Sequence, residues 1–89
     1  MPERTVTIAS AIGLHARPAS LFSQAAAATG VAVTITGREG RGVNAASILG
    51  VLSLGIDHGE TVTLAAEGDG ADAALDTLTA LLETDLDGQ

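Results

Sequence analysis

Along these 89 residues the spacing of apolar side chains changes between a strand-like and a helix-like period. The order of these changes constrains the fold more than any other feature. Apolar residues recur with a period of two in segments 4–9, 31–36 and 61–67, which predicts strands with one buried face. Segment 41–44 follows a hairpin turn over 37–40 and predicts a short strand at a sheet edge. Helical spacing predicts helices over 16–29, between Ser47 and Gly55, and from Asp69 or Gly70 up to an acidic, frayed tail that begins at Thr84. The order is β-α-β-β-α-β-α.

Each predicted helix has a single apolar stripe. The first stripe consists of Pro18, Leu21, Phe22, Ala25 and Thr29, widened by Ala26. The last consists of Ala71, Ala74, Leu75, Leu78, Leu81 and Leu82. Because strands and helices alike have one apolar side, the simplest packing is one sheet with all helices on one face and water on the other. We therefore predict an α+β fold and a single domain over 1–89, since so short a chain has core enough for only one domain.

Charge and composition exclude several classes of function. Four arginines stand against eleven acidic residues, the net charge is −7, and no Lys or Arg follows Asp57. Nucleic acid and anionic membrane surfaces require clustered positive charge, so neither is expected as a partner. The chain has no cysteine, no apolar run that could span a bilayer, and no signal-peptide pattern at its start. We expect a cytoplasmic protein without disulfides or membrane insertion.

The stretch 12–20 joins the first strand to the first helix and has the residues of a phosphate site. His15 stands where the chain turns, Arg17 adds a planar cationic fork suited to phosphate oxygens, and Pro18 suits the first helical turn. Backbone N–H groups of a helix start attract anions. The helix start also favours neutral imidazole, which is the nucleophilic form. These features predict a nucleophilic His15 over a cradle formed by Ala16, Arg17 and Pro18.

The stretch Gly13-Leu14-His15-Ala16-Arg17-Pro18-Ala19 resembles the active-site signature of HPr, the histidine-containing phosphocarrier of the bacterial sugar phosphotransferase system. The resemblance implies a phosphoryl carrier rather than a turnover enzyme, with the phosphoryl group on Nδ1 of His15. It implies enzyme I as donor, enzyme IIA domains as acceptors, a monomer, and an antiparallel sheet of strand order 1-4-2-3, an open-faced sandwich. The histidine has no cluster of metal ligands beside it, so we expect neither a metal nor a cofactor in the carrier itself.

A second stretch, residues 43–56, resembles the regulatory-serine segment of the same family. Ser47 is a good N-cap for the second helix on physical grounds, and the resemblance also makes it a target for a serine kinase and phosphatase. Many family members have a lysine just before this serine, where this chain has Ala46. The helix is too short to bury all its apolar residues, and the resemblance implies a partner-binding surface. We name it the docking patch and define it as Ile48, Leu49, Leu52 and Ser53.

Three alternatives remain open from the sequence. The chain could be a regulatory module that acts by binding proteins, a nitrogen-branch phosphocarrier, or a small hydrolase with His15 as general base. No constellation of Ser, Cys and carboxylate side chains lies near His15 in the motif, and 89 residues leave little room for a deep pocket, which argues against the hydrolase. The other histidine, His58, falls in a polar, glycine-containing turn and is assigned to that turn.

Overall fold

The sheet has four antiparallel strands in the order β1-β4-β2-β3, in a computed structural model that describes residues 2–9, 13–14, 16–37 and 40–84. The strands are β1 (Glu3–Thr7), β2 (Val33–Thr36), β3 (Gly42–Asn44) and β4 (Thr61–Ala66). The helices are α1 (Ala16–Ala28), α2 (Ile48–Ser53) and α3 (Ala71–Leu82). The predicted tail lies mostly outside the described residues. Element order, strand order and the α+β architecture are confirmed.

The core lies between one face of the sheet and the three helices. Inward-facing residues of the strands, such as Val6, Ile35 and Leu64, are buried, and their neighbours in sequence are exposed or half-buried. α3 packs against β1, β4 and β2, and α1 packs against both α2 and α3. Phe22 of α1 and Leu75 of α3 are completely buried in the same cluster. The opposite face of the sheet is left to solvent, so all three helices share one side of the molecule.

The predicted stripe of α1 is partly wrong. Leu21 and Ala25 are only half-buried, whereas Ala19 and Ser23 are buried together with Phe22. Ser23 tolerates this position because its Oγ donates a hydrogen bond to the carbonyl of Ser20, at 3.3 Å, within the helix. A pattern that ranks side chains by hydrophobicity alone assigns such a serine to the surface.

Several strand boundaries differ from the prediction by one residue, and the end of β1 and the start of β2 differ by two. β1 ends at Thr7, although Ile8 remains buried. The N–H of Ile8 donates a hydrogen bond to the carbonyl of Glu60 at 3.0 Å. β2 begins at Val33 rather than at residue 31. The preceding residues form the turn out of α1, in which the N–H of Val31 donates to Oγ1 of Thr29 at 3.2 Å. That bond fixes Val31 before the strand begins, so its apolar side chain is only half-buried.

Candidate functional site

The segment that leads into the first helix is held against the loop after α2. Gly13 has a φ of +76°, a left-handed value that disfavours any residue with a Cβ. A Cβ placed there would lie 2.3 Å from the carbonyl oxygen of Ile56 and 2.7 Å from Cα of Asp57. The N–H of Leu14 donates to the same carbonyl of Ile56 at 2.9 Å, and the Leu14 side chain is fully buried. The residues before the predicted nucleophile are therefore fixed in position.

His15 itself lies outside the described residues. Its neighbours on both sides are described, because Leu14 precedes it and α1 begins at Ala16. Pro18, in the first turn of that helix, is fully buried, as is Ala19. This burial anchors the first turn in the core, and the chain enters α1 from the fixed Gly13–Leu14 segment.

Arg17 is exposed at the beginning of α1. Among the described residues, its guanidinium has neither a hydrogen-bond acceptor nor an ion-pair partner. Arg4 differs, because its guanidinium contacts Asp72 at 3.3 Å and Asp76 at 3.2 Å and so joins β1 to α3. Arg17 thus keeps all its donors available for an anion at the helix start.

Ser47 caps the second helix, as predicted. Its backbone is extended, with φ −99° and ψ 110°, and its Oγ accepts a hydrogen bond from the N–H of Gly50 at 3.1 Å. The preceding turn is closed by Asn44, whose Oδ1 accepts from the N–H of Ala46 at 2.9 Å. The N-cap prediction is confirmed by these bonds, whereas a regulatory role for Ser47 stays a prediction.

The docking patch has three exposed apolar side chains on a helix of six residues. The exposed fractions are 39% for Ile48, 77% for Leu49 and 36% for Leu52, while Val51 on the opposite side is buried. Ser53 behaves differently from the other three. Its hydroxyl donates to the carbonyl of Gly50 at 2.6 Å and accepts a short hydrogen bond from the guanidinium of Arg41. Ser53 is therefore engaged within the chain.

Sequence reasoning missed Arg41. Nothing in its local pattern marks it as more than the first residue of an edge strand, because its contact with Ser53 lies twelve residues further along the chain. A signal was available in the charge distribution, since Arg41 is one of only four basic residues in the chain. Its neighbour in space, α2, has no basic residue in its own last turn.

Two other kinds of site are conceivable in this chain, one at the second histidine and one for a metal ion. His58 is exposed in the turn before β4, as predicted. Within the described part of the chain, no three His, Asp or Glu side chains come close enough together to hold a metal ion. None of the helices described has the length and apolar character needed to cross a membrane.

Comparison with known proteins gives a consistent result. The phosphocarrier protein HPr of Streptomyces coelicolor is 53% identical over 87 residues, which cover 98% of this chain and 94% of that protein. The HPr of Haloferax volcanii is 51% identical over 84 residues, covering 92% of this chain and 93% of the relative. A phosphocarrier protein NPr from Shewanella violacea is 42% identical over 85 residues, covering 96% of this chain and 92% of the relative.

Solved structures agree with this comparison. HPr-C-His from Thermoanaerobacter tengcongensis superposes with a TM-score of 0.88 at 42% identity, covering 93% of this chain and 92% of that one. HPr from Bacillus anthracis superposes with a TM-score of 0.87 at 38% identity, covering 91% of this chain and 95% of that one. Residues 2–84 match the sequence pattern of the PTS-HPr family, described as the PTS HPr component phosphorylation site. The chain therefore belongs to the PTS-HPr family of phosphocarrier proteins.

Proposed function

We propose that this chain accepts a phosphoryl group on His15 from phospho-enzyme I and passes it to enzyme IIA domains of a sugar phosphotransferase system. The observation that carries the proposal is the state of Arg17. It is exposed two residues after His15 and is uncompensated by any described carboxylate, in a chain of net charge −7. A free guanidinium in so acidic a chain favours an incoming anion at this point.

The transfer is a displacement at phosphorus. The lone pair on Nδ1 of His15 forms the new N–P bond while the bond from phosphorus to the donor atom of enzyme I breaks and leaves its electron pair on the donor. A second displacement loads the acceptor: a lone pair on an atom of the enzyme IIA domain forms a bond to phosphorus while the N–P bond breaks and leaves its electron pair on Nδ1 of His15. Such a reaction needs positioning and charge stabilisation rather than a separate acid or base. Arg17 and the N–H groups that every helix start leaves without intrahelical acceptors provide that charge stabilisation.

The anchors around His15 support this role. Gly13 and Leu14 are fixed on Ile56, and Pro18 and Ala19 are buried in the core. Packed segments on both sides of a nucleophile reduce the entropy cost of positioning it against a donor. The exposed apolar residues of the docking patch then serve both donor and acceptor. One shared surface makes the exchanges sequential, and weak, transient contact lets the carrier turn over.

A second candidate keeps the chemistry and changes the pathway. This candidate is a nitrogen-branch or regulatory carrier that acts mainly through protein binding, and its support is the 42% identity to a phosphocarrier named NPr, which is lower than the 53% identity to an HPr. Ser47 belongs to this alternative as well, since a phosphate on a residue flanking the docking patch would alter the charge that partners meet. The two candidates share His15 and Arg17 and differ in their acceptors and in how far they act through protein binding.

The test is phosphorylation with labelled phosphoenolpyruvate, enzyme I and magnesium. We expect one acid-labile phosphoryl group on the unmodified chain and none on His15→Ala. The matched control is His58→Ala, which removes the only other histidine and should label normally. An acid-stable phosphate, or label retained by His15→Ala, would place the acceptor elsewhere. Offering the labelled carrier to enzyme IIA domains of the sugar and nitrogen branches then separates the two candidates by which domain becomes labelled.

A further inference from the structure

The C-terminal end of α2 is met by a cation from another element. α2 has no basic residue in its last turn. Arg41, which directly precedes β3, instead donates a hydrogen bond from Nη2 to the hydroxyl of Ser53, the last residue of the helix. That hydroxyl also donates to the carbonyl of Gly50. A positive charge here complements the partial negative charge of the helix end, so the arrangement is stable in both its hydrogen bonds and its electrostatics.

The charge of Arg41 is not neutralised within the described part of the chain. No carboxylate pairs with it there, whereas Arg4 is paired with both Asp72 and Asp76. Ser53 is a neutral acceptor and leaves the guanidinium charge intact. A guanidinium has five N–H donors, so one bond to Ser53 leaves others for a second molecule. Arg41 is exposed, and its remaining donors are open to solvent.

The fixed cation adjoins the docking patch. Leu52 directly precedes Ser53 in the helix and is one of the three exposed apolar residues of that surface. The patch therefore ends, at the C-terminal end of α2, in a guanidinium held by a hydrogen bond. A partner that covers Leu49 and Leu52 meets this charge at the rim of the contact.

We propose that Arg41 is a binding residue for the phosphoryl donor, and that it pairs with a carboxylate at the edge of the donor's apolar recess that meets the end of α2. This inference rests on the proposed function, because it presumes that the docking patch binds the phosphoryl donor. The bond to Ser53 lowers the entropy lost when the ion pair forms, since the long side chain is already held. The planar fork suits a carboxylate, and charge at an interface rim acts chiefly on association rate and selectivity.

The experiment compares two substitutions that change the net charge equally. Arg41→Gln removes the proposed contact, and Arg4→Gln removes a guanidinium that contacts α3. Binding of each unphosphorylated variant to enzyme I is measured by titration calorimetry over a series of KCl concentrations. We expect Arg41→Gln to weaken binding about two- to five-fold at low ionic strength, the range for an exposed ion pair, with the difference shrinking as salt rises. Arg4→Gln should bind like the unmodified chain.

Two further variants separate charge from helix position. Arg41→Lys keeps the charge and should retain most of the affinity, whereas Ser53→Ala frees the guanidinium and should cause a smaller loss than Arg41→Gln. Equal effects of Arg41→Gln and Arg4→Gln would overturn the inference in favour of net charge. A salt-independent loss shared by Arg41→Gln and Ser53→Ala would also overturn it, because α2 would then simply have moved.

Labelling of His15, measured on the same preparations, distinguishes this inference from the proposed function. If the unmodified chain is labelled and Arg41→Gln binds enzyme I as tightly as the unmodified chain, only the proposed role of Arg41 is wrong. If the unmodified chain binds enzyme I without becoming labelled, the carrier function fails and the salt series still decides the role of Arg41. A chain that neither binds nor becomes labelled would overturn both.

Discussion

Gly13→Ala tests how firmly the segment before His15 is fixed. The added Cβ would lie 2.3 Å from the carbonyl oxygen of Ile56, and 2.7 and 2.9 Å from backbone atoms of Asp57. All three contacts are with main-chain atoms, which cannot rotate away as a side chain would. The residue also has a φ of +76°, where alanine is strained even in open space. Both effects act on the folded state, so the variant must shift its backbone or lose stability.

The magnitude follows from three contributions. The left-handed conformation costs alanine about 1–2 kcal/mol. Forcing an extra carbon into a closed contact costs about 1–3 kcal/mol. The smaller entropy of the unfolded alanine chain returns about 0.4–1 kcal/mol. We therefore expect Gly13→Ala to lower the free energy of unfolding by about 3 kcal/mol, within a range of about 1–5 kcal/mol, which is a large part of what a domain of this size has.

Gly30→Ala is the matched control, because it isolates the steric part. Gly30 has nearly the same φ, +71°, but a Cβ there would meet no atom within 4 Å. It should lose only about 1 kcal/mol, the conformational part alone. The free energies are measured by urea unfolding followed by far-ultraviolet circular dichroism, since the chain has no Trp or Tyr to report fluorescence. Equal losses in the two variants would refute the claim that close backbone contact holds the segment.

The same pair of variants connects stability to transfer. Under conditions in which both are fully folded, Gly13→Ala should also slow phosphorylation of His15, because the shift needed to relieve the contact occurs two residues away. Gly30→Ala lies beyond the other end of α1 and should transfer at the normal rate. Normal transfer by a folded Gly13→Ala would show that His15 is positioned by the helix start alone.

Three further predictions concern the helices. Arg17→Ala should fold normally but raise the free-energy barrier to phosphoryl transfer by up to about 4 kcal/mol. Rapid-quench rates that are unchanged in both directions would contradict the role of its guanidinium. Ser47→Ala should lower the free energy of unfolding by about 1 kcal/mol through loss of the cap to Gly50, measured by urea unfolding, and a neutral result would contradict the capping bond. Leu49→Glu should leave the unfolding curve nearly unchanged, because the side chain is exposed. It should weaken binding to enzyme I and to an enzyme IIA domain alike, as measured by calorimetry. An effect on only one partner would contradict a shared surface.

The sequence predicted the parts of this fold that local pattern controls. Periodicity located six of the seven elements, and the hairpin-turn signal located the short strand β3. Ser47 was identifiable as a cap because the N-cap interaction spans only three residues. The antiparallel order β1-β4-β2-β3 came from family resemblance, since periodicity places residues on a face without naming the neighbouring strand. The buried Ser23 was missed because its hydroxyl is satisfied inside α1. Hydrophobic patterns do not reveal such internal hydrogen bonds.

Some features of the candidate site were likewise predictable from the local sequence, and others depend on tertiary packing. Exposed apolar residues on α2 were predictable, because six residues give too little inner surface for four large side chains. The closeness of Gly13 to Ile56 and the contact from Arg41 to Ser53 were not predictable, since each joins residues far enough apart to be set by the packing of α2 and its flanking loops. The roles of His15, Ala16 and Pro18 stay predictions, as do those of Arg17, Ser47 and the docking patch.

These contacts make α2 the element on which the proposed partner binding depends. A helix of six residues does not hold its shape alone, so its geometry comes from tertiary contacts. Buried Val51 fixes its inner face, and Gly50 lies against Val43, where a Cβ would come within 3.3 Å of that side chain. The cap at Ser47 secures one end and Arg41 the other. Because both polar anchors flank the exposed leucines, a change in charge at either end alters the surface that a partner meets, even where the fold is unchanged.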